Sequence, residues 1–156
     1  MAGGHLKRSI VVDAHVHAPD YLPHPVAAAS RWLTRSTAPP AFPFHALRPA
    51  GVDAVVANAV GDRVVTAWWT QPPWLAVRNQ LARIRRQTEA AGGVVATSAR
   101  DVRAAAVGGR LAVVLGLEGA DAIGMDLDRI DELRGCINIR FDRHWRSAQP
   151  CVRHRG

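Results

Sequence analysis

Along this chain, hydrophobic and polar positions alternate between short β-branched runs and stretches of helical period. Residues 10–14, IVVDA, read as a short strand that ends at a histidine-rich loop. Residues 18–49 are proline-rich and read as loop, with a short helix around 26–34. A second strand candidate covers 52–57. Pro72-Pro73 then suits the start of a helix over 75–91, because proline lacks the N–H that a first helical turn leaves unpaired. Within it Val77, Leu81, Ile84 and Thr88 fall at 4-3-4 spacing on one face, and Gly92-Gly93 end it. Ser98 with Asp101 three residues on predicts a capped helix running to Gly108-Gly109. Residues 111–117, LAVVLGL, are continuously apolar, as a strand buried on both faces must be. A short helix over 126–133 and a last strand over 137–141 complete the pattern.

Strands alternating with helices predict an α/β chain, either a parallel sheet or part of a barrel. The 156 residues are enough to bury a core without a metal or disulfide staple. At 48% hydrophobic and 21% charged residues the chain is of ordinary globular composition. There is no run of 18 apolar residues, so no membrane span is expected. The apolar stretch near the N-terminus is too short for a signal peptide, which leads to the expectation of a cytoplasmic protein.

The formal charge of +7 is unevenly placed. Residues 1–133 hold 14 basic and 12 acidic side chains, whereas 134–156 hold six arginines against Asp142 alone. Both cysteines, Cys136 and Cys151, lie in the same tail, at a spacing that fits no zinc pattern. A basic tail fits a nucleic-acid-binding module that is not an enzyme. No aromatic interleaving or recognised motif accompanies it, so no nucleic-acid partner is expected.

The chemistry-bearing residues cluster at two strand ends. In Asp13-Ala14-His15-Val16-His17 the two imidazoles stand at i and i+2, on one side of an extended chain, and could meet one metal ion. Two surface histidines in a loop are the competing reading. Glu118 closes the apolar run at 111–117, where a carboxylate is costly unless paired or bound to a cation. It is either the anionic bridge of a two-metal site or a surface residue at a βα turn. The sole lysine, Lys7, precedes the first strand, so a carboxylated lysine cannot serve as the bridge. His144 follows the weak last strand and is either a substrate contact or a solvated residue of an arginine-rich stretch. The segment Trp68-Trp69-Thr70-Gln71-Pro72-Pro73-Trp74 either lines a substrate mouth or packs as a loop over the fold.

Taken together, VVDAHVH, AVRNQLARIRRQTEAAGG and TSARDVRAAAVGGRLAVVLGLEGADAIGMDLDRIDEL resemble the membrane (renal-type) dipeptidase family of the metal-dependent amidohydrolase superfamily. The resemblance spans roughly residues 10–133, and LAVVLGLEGADAIG is its most specific stretch. It implies a partial TIM-type (β/α) barrel of three to four N-terminal βα units. It further implies a centre of two divalent ions, usually zinc, that cleaves dipeptides or related small amides through a metal-bound hydroxide. His15 and His17 then match the first-strand ligands and Glu118 the bridging carboxylate. His144 falls near the family's substrate-contacting histidine. The family commonly has His-x-Asp where this chain has His-x-His, a pair also found in deoxyribonuclease-type amidohydrolases, which stand as the alternative enzyme reading.

A complete barrel of this type takes about 250 residues. The family's later histidines and its acid/base carboxylate have no counterpart here, so no catalytic residue is assigned. Residues 134–156 do not continue the family pattern, and their change in composition points to a frameshifted or truncated reading frame. The expectations are therefore a domain portion over 1–133, a poorly patterned tail over 134–156, weak or absent activity, and self-association through exposed barrel edges.

Overall fold

The computed structural model describes residues 9–17, 24–35, 44–66 and 70–134. In chain order the elements are β1 (Val12–His17), α1 (His24–Thr34), α2 (Phe44–Leu47), β2 (Ala54–Val60), α3 (Arg63–Thr66), α4 (Pro73–Ala90), β3 (Val94–Val95), α5 (Ala99–Val107), β4 (Ala112–Glu118) and α6 (Asp128–Arg134). The four strands form one sheet in the order β1-β2-β4-β3, and every pairing is parallel. This is the α/β class the alternating pattern predicts. Winding in simple sequence order would set the third strand beside the second. Instead β4 takes that place, and the two-residue β3 lies along the first residues of β4. The strand read at 137–141 and the tail lie outside the described residues, and so do Trp68, Trp69 and His144.

β2 and β4 pair without interruption over seven positions, from Ala54 opposite Ala112 to Val60 opposite Glu118. Their alternate side chains feed two faces. Val55, Ala57 and Ala59 of β2 join Val113, Leu115 and Leu117 of β4 in a core cluster with Val77, Leu81 and Ile84 of α4. The helix face read from 4-3-4 spacing is thus the buried one, Thr88 included. Thr88 tolerates full burial because its hydroxyl donates to the Ile84 carbonyl at 2.8 Å. On the opposite face, Ala54 and Ala112 pack with Ala96 and Ala105 near the start of the strands. That smaller cluster closes the sheet's lower end on α5 and leaves the upper end of the same face to polar residues.

Two buried polar devices hold the strands in place, and neither was foreseen from hydrophobic pattern. Gln80 of α4 is almost fully buried, yet its amide accepts from the Val60 N–H and donates to the Val60 carbonyl, both at 3.0 Å. This pins the last rung of β2 to the helix. Asp53 accepts from the Val11 N–H at 2.9 Å and pairs with the Arg48 guanidinium, which also donates to the Ala106 carbonyl at 3.2 Å. One buried carboxylate therefore ties the start of β1 to that of β2 and, through Arg48, to α5.

The N-terminus of α5 carries the capping box expected from Ser98 and Asp101. Asp101 N–H donates to Ser98 Oγ at 3.1 Å, and Ser98 N–H donates to Asp101 Oδ2 at 2.9 Å. Hydrogen bonds from Ser98 and Thr97 hold the Asp101 carboxyl below its usual range. β1 differs from expectation in running on through His17, because pairing with β2 resumes at Val16–Ala57 and His17–Asn58 after an irregularity beyond Asp13. Strand two likewise runs later than read, taking in Asn58 because its neighbours on both sides supply ladder partners. Among the described residues no helix is long and apolar enough to cross a membrane.

Asp53→Ala should lower unfolding free energy by about 3 kcal/mol, since it strands the Arg48 charge and leaves the Val11 N–H unpaired. Urea denaturation checks this, with Asp128→Ala on the surface expected to stay within about 0.5 kcal/mol of wild type.

Candidate metal centre

The C-terminal ends of β1, β2 and β4 bring together residues far apart in sequence. His15 and His17 of β1 are separated from Glu118 of β4 by the whole width of β2, yet their side chains reach over Asn58 and converge. His15 Nε2 lies 3.2 Å and His17 Nε2 3.4 Å from Glu118 Oε2, and the two Nε2 atoms are 3.3 Å apart. The rings meet edge to face, with centroids 4.9 Å apart. Among the described residues this is the one group of three or more His, Cys, Asp or Glu side chains close enough to hold an ion.

The near-equilateral triangle can be compared with a metal's demands. Ligand atoms bonded at 2.0–2.1 Å to a tetrahedral ion stand about 3.3–3.4 Å apart. The three observed edges of 3.2, 3.3 and 3.4 Å lie close to that spacing. Glu118 Oε2 is buried and, among the described residues, accepts no hydrogen bond, despite its two imidazole neighbours. A carboxylate oxygen so placed is costly at an apolar strand end, and a cation held between it and the two imidazoles would satisfy it. Imidazole nitrogen and carboxylate oxygen are also the donor set that zinc and similar divalent ions take. The residues present therefore fit such an ion.

The electrostatics point the same way. Burial holds the His17 imidazole below its ordinary value of 6.5, against the pull of Glu118 and with a smaller push from His15. His17 is thus kept neutral, the state a metal ligand needs. Asp62, just after β2, is pushed above the usual carboxylate range by burial, then by Glu118, then by Asp121. Asp121 in turn accepts from the Arg63 N–H at 3.0 Å. Asp62 therefore shares its rim with two carboxylates that disfavour its charged form.

The rim itself is tightly built. Gly61 approaches the turn after β4 so closely that a Cβ there would stand 2.6 Å from the Gly119 carbonyl oxygen. Gly119 has φ +77°, a left-handed conformation, and a Cβ on it would run into the Asp62 carboxylate. Behind the rim, Arg129 donates to the carbonyls of Ala122 and Ile123 at 2.9 and 3.1 Å and lies over the Trp74 ring. Trp74 packs against the main core.

Of the residues singled out from sequence, the structure brings His15, His17 and Glu118 together, and His144 lies outside the described residues. Asn58, Asp62 and Asp121 went unassigned. The sequence does carry a signal for Asn58: it is a polar residue inside the apolar run 54–60, the same anomaly that marks Glu118.

A crystal structure of an amidohydrolase from Pseudomonas aeruginosa superposes with a TM-score of 0.57 at 14% sequence identity. The match covers 85% of this chain but 34% of that one, so the chain spans about a third of that neighbour's length. At this identity the likeness is one of fold. No protein-family model and no curated protein matches the chain.

The lowered His17 value fixes a pH response. Its contribution to stability is fully present above 6.5, the ordinary value, and is lost as pH falls through the lowered folded value. Metal-free protein should therefore lose stability below pH 6.5, and His17→Gln should lose less over the same range. Urea midpoints measured from about pH 5 to 8 decide this.

Proposed function

We propose that this chain carries the first-strand portion of a metal-dependent amidohydrolase centre, seated at the strand ends of a partial TIM-type barrel, and that the reaction it serves is hydrolysis of dipeptides. The observation that carries the reading is the His15–His17–Glu118 triangle, with edges of 3.2–3.4 Å and, at one corner, a buried carboxylate oxygen that accepts no hydrogen bond among the described residues. Its position at the C-terminal ends of parallel strands supports the barrel, because active sites of βα-barrels sit on that face. The fold likeness to an amidohydrolase lends support from outside the chain.

His15 and His17 would hold one divalent ion through their Nε2 atoms, with zinc the first candidate. Glu118 would complete that set through Oε2, and as a carboxylate with two oxygens it is the ligand able to bridge to a second ion. When bound, such an ion supplies Lewis acidity: it lowers the pKa of water and polarises an amide carbonyl. Burial keeps His17 neutral and ready to bind. In this reading His144 contacts the substrate, and the residues that would supply the remaining ligands and the acid/base group are not assigned.

Isothermal titration with zinc tests the ligand set. His15→Ala, His17→Ala and Glu118→Gln should each weaken binding at least about tenfold, the lower end of what even outer partners of a metal ligand contribute. Dipeptide turnover with added zinc should be slow in the wild-type chain and absent in Glu118→Gln. Zinc affinity indifferent to all three substitutions would sink the proposal.

A further inference from the structure

Asn58 is nearly fully buried on β2, at the rung where β2 faces His17 on one side and Gly116 on the other. Its amide lies across the sheet face toward both neighbouring strands. One end, Nδ2, is 3.2 Å from His15 Nδ1. The other end, Oδ1, occupies the volume a Cβ on residue 116 would fill. Gly116 is therefore the empty seat that lets an amide stand here, between an apolar strand and a histidine ring.

This matters because a histidine presents its two nitrogens in opposition. The nitrogen that carries the proton cannot offer a lone pair, and the partner of one ring nitrogen decides the state of the other. With Nδ2 donating to Nδ1, the His15 proton resides on Nε2, the atom that points into the triangle with Glu118. With Oδ1 turned to the ring, Nδ1–H donates to it and Nε2 is left bare. An amide is the side chain that offers both arrangements, since half a turn about Cβ–Cγ exchanges donor for acceptor.

We infer that Asn58, seated on Gly116, is the positioning residue that sets the tautomer of His15, holding the proton on Nε2 in the metal-free chain and on Nδ1 when a divalent ion is taken up. The metal half of this inference rests on the function proposed above, whereas the tautomer half does not. Asn58 acts through the ring of His15, the one ring its amide meets among the described contacts. A carboxylate at position 58 would accept without donating and fix the Nδ1–H form outright. An aliphatic side chain would do neither.

Nitrogen-15 NMR of the imidazoles in the full chain, at about pH 8 where histidine is neutral, reads the tautomer directly. Wild type should show His15 as Nε2–H without metal and as Nδ1–H with zinc. Asn58→Asp should show Nδ1–H before any zinc is added. Asn58→Leu should lose the preference and bind zinc about tenfold more weakly. Gly116→Ala, which leaves Asn58 in place but removes its seat, should shift the tautomer in the same direction as Asn58→Leu, so the test does not hang on one variant folding. A His15 tautomer identical in wild type, Asn58→Asp and Asn58→Leu would overturn the inference. Tautomers that follow residue 58 in a chain that takes up no zinc would uphold the role of the amide and remove the metal reading instead.

Discussion

The structure depends on one pairing, the seven-rung parallel ladder between β2 and β4. In an uninterrupted parallel register the last rung is fixed once the first is set, so Val60 must face Glu118 and Asn58 must face Gly116. The energy that secures the ladder comes largely from the other face, where Val55, Leu115 and Val113 bury against Val77, Leu81 and Ile84. A shift of one residue would exchange the two faces, sending the core side chains to the polar side and Glu118 into the helix. The geometry at the strand ends is thus set by apolar packing to which none of its own residues contributes.

The charge of the rim runs against the charge of the chain. The whole sequence is basic at +7, while Glu118, Asp62 and Asp121 gather within mutual influence at the end of β2 and β4. Local arrangement, and not net charge, decides which ions such a place attracts. The raised Asp62 carboxyl and the neutral His17 are two responses to one condition: burial disfavours whichever form is charged, and it moves an acid up and a base down.

What could be read from sequence was whatever obeys a local rule. Helix α4 was legible because the 4-3-4 spacing of Val77, Leu81, Ile84 and Thr88 reports a buried face directly, and α5 because Ser98 and Asp101 cap it within one turn. Histidines at i and i+2 and a carboxylate closing an apolar run stood out as candidates by local pattern alone, and the structure brings the three side chains together. The remainder was illegible because its cause lies elsewhere in the chain. β1 extends to His17 only because β2 offers partners, and nothing within α4 shows that the polar Gln80, beside the apolar face, spends its amide on the end of β2. The Arg48–Asp53 pair looks like any two surface charges five residues apart, although it joins three elements. The place of β4 between β2 and β3 follows from packing against α4 and α5, which no local pattern encodes.

The crossing of Gly61 under the turn at Gly119 restricts how this scaffold could be redesigned. Loops at the mouths of α/β sheets are ordinarily the easiest part to exchange, and new specificities are grafted there. Here the segments leaving β2 and β4 interlock at a distance that admits no side chain at either glycine, and the Asp62 carboxylate fills the space beside the second. Neither segment can be replaced without the other, so a designer would have to transplant them as one unit. Variation confined to a single residue in this corner has to fall on the exposed positions around it, such as Arg63 or Ala120, where the backbone path is not at stake.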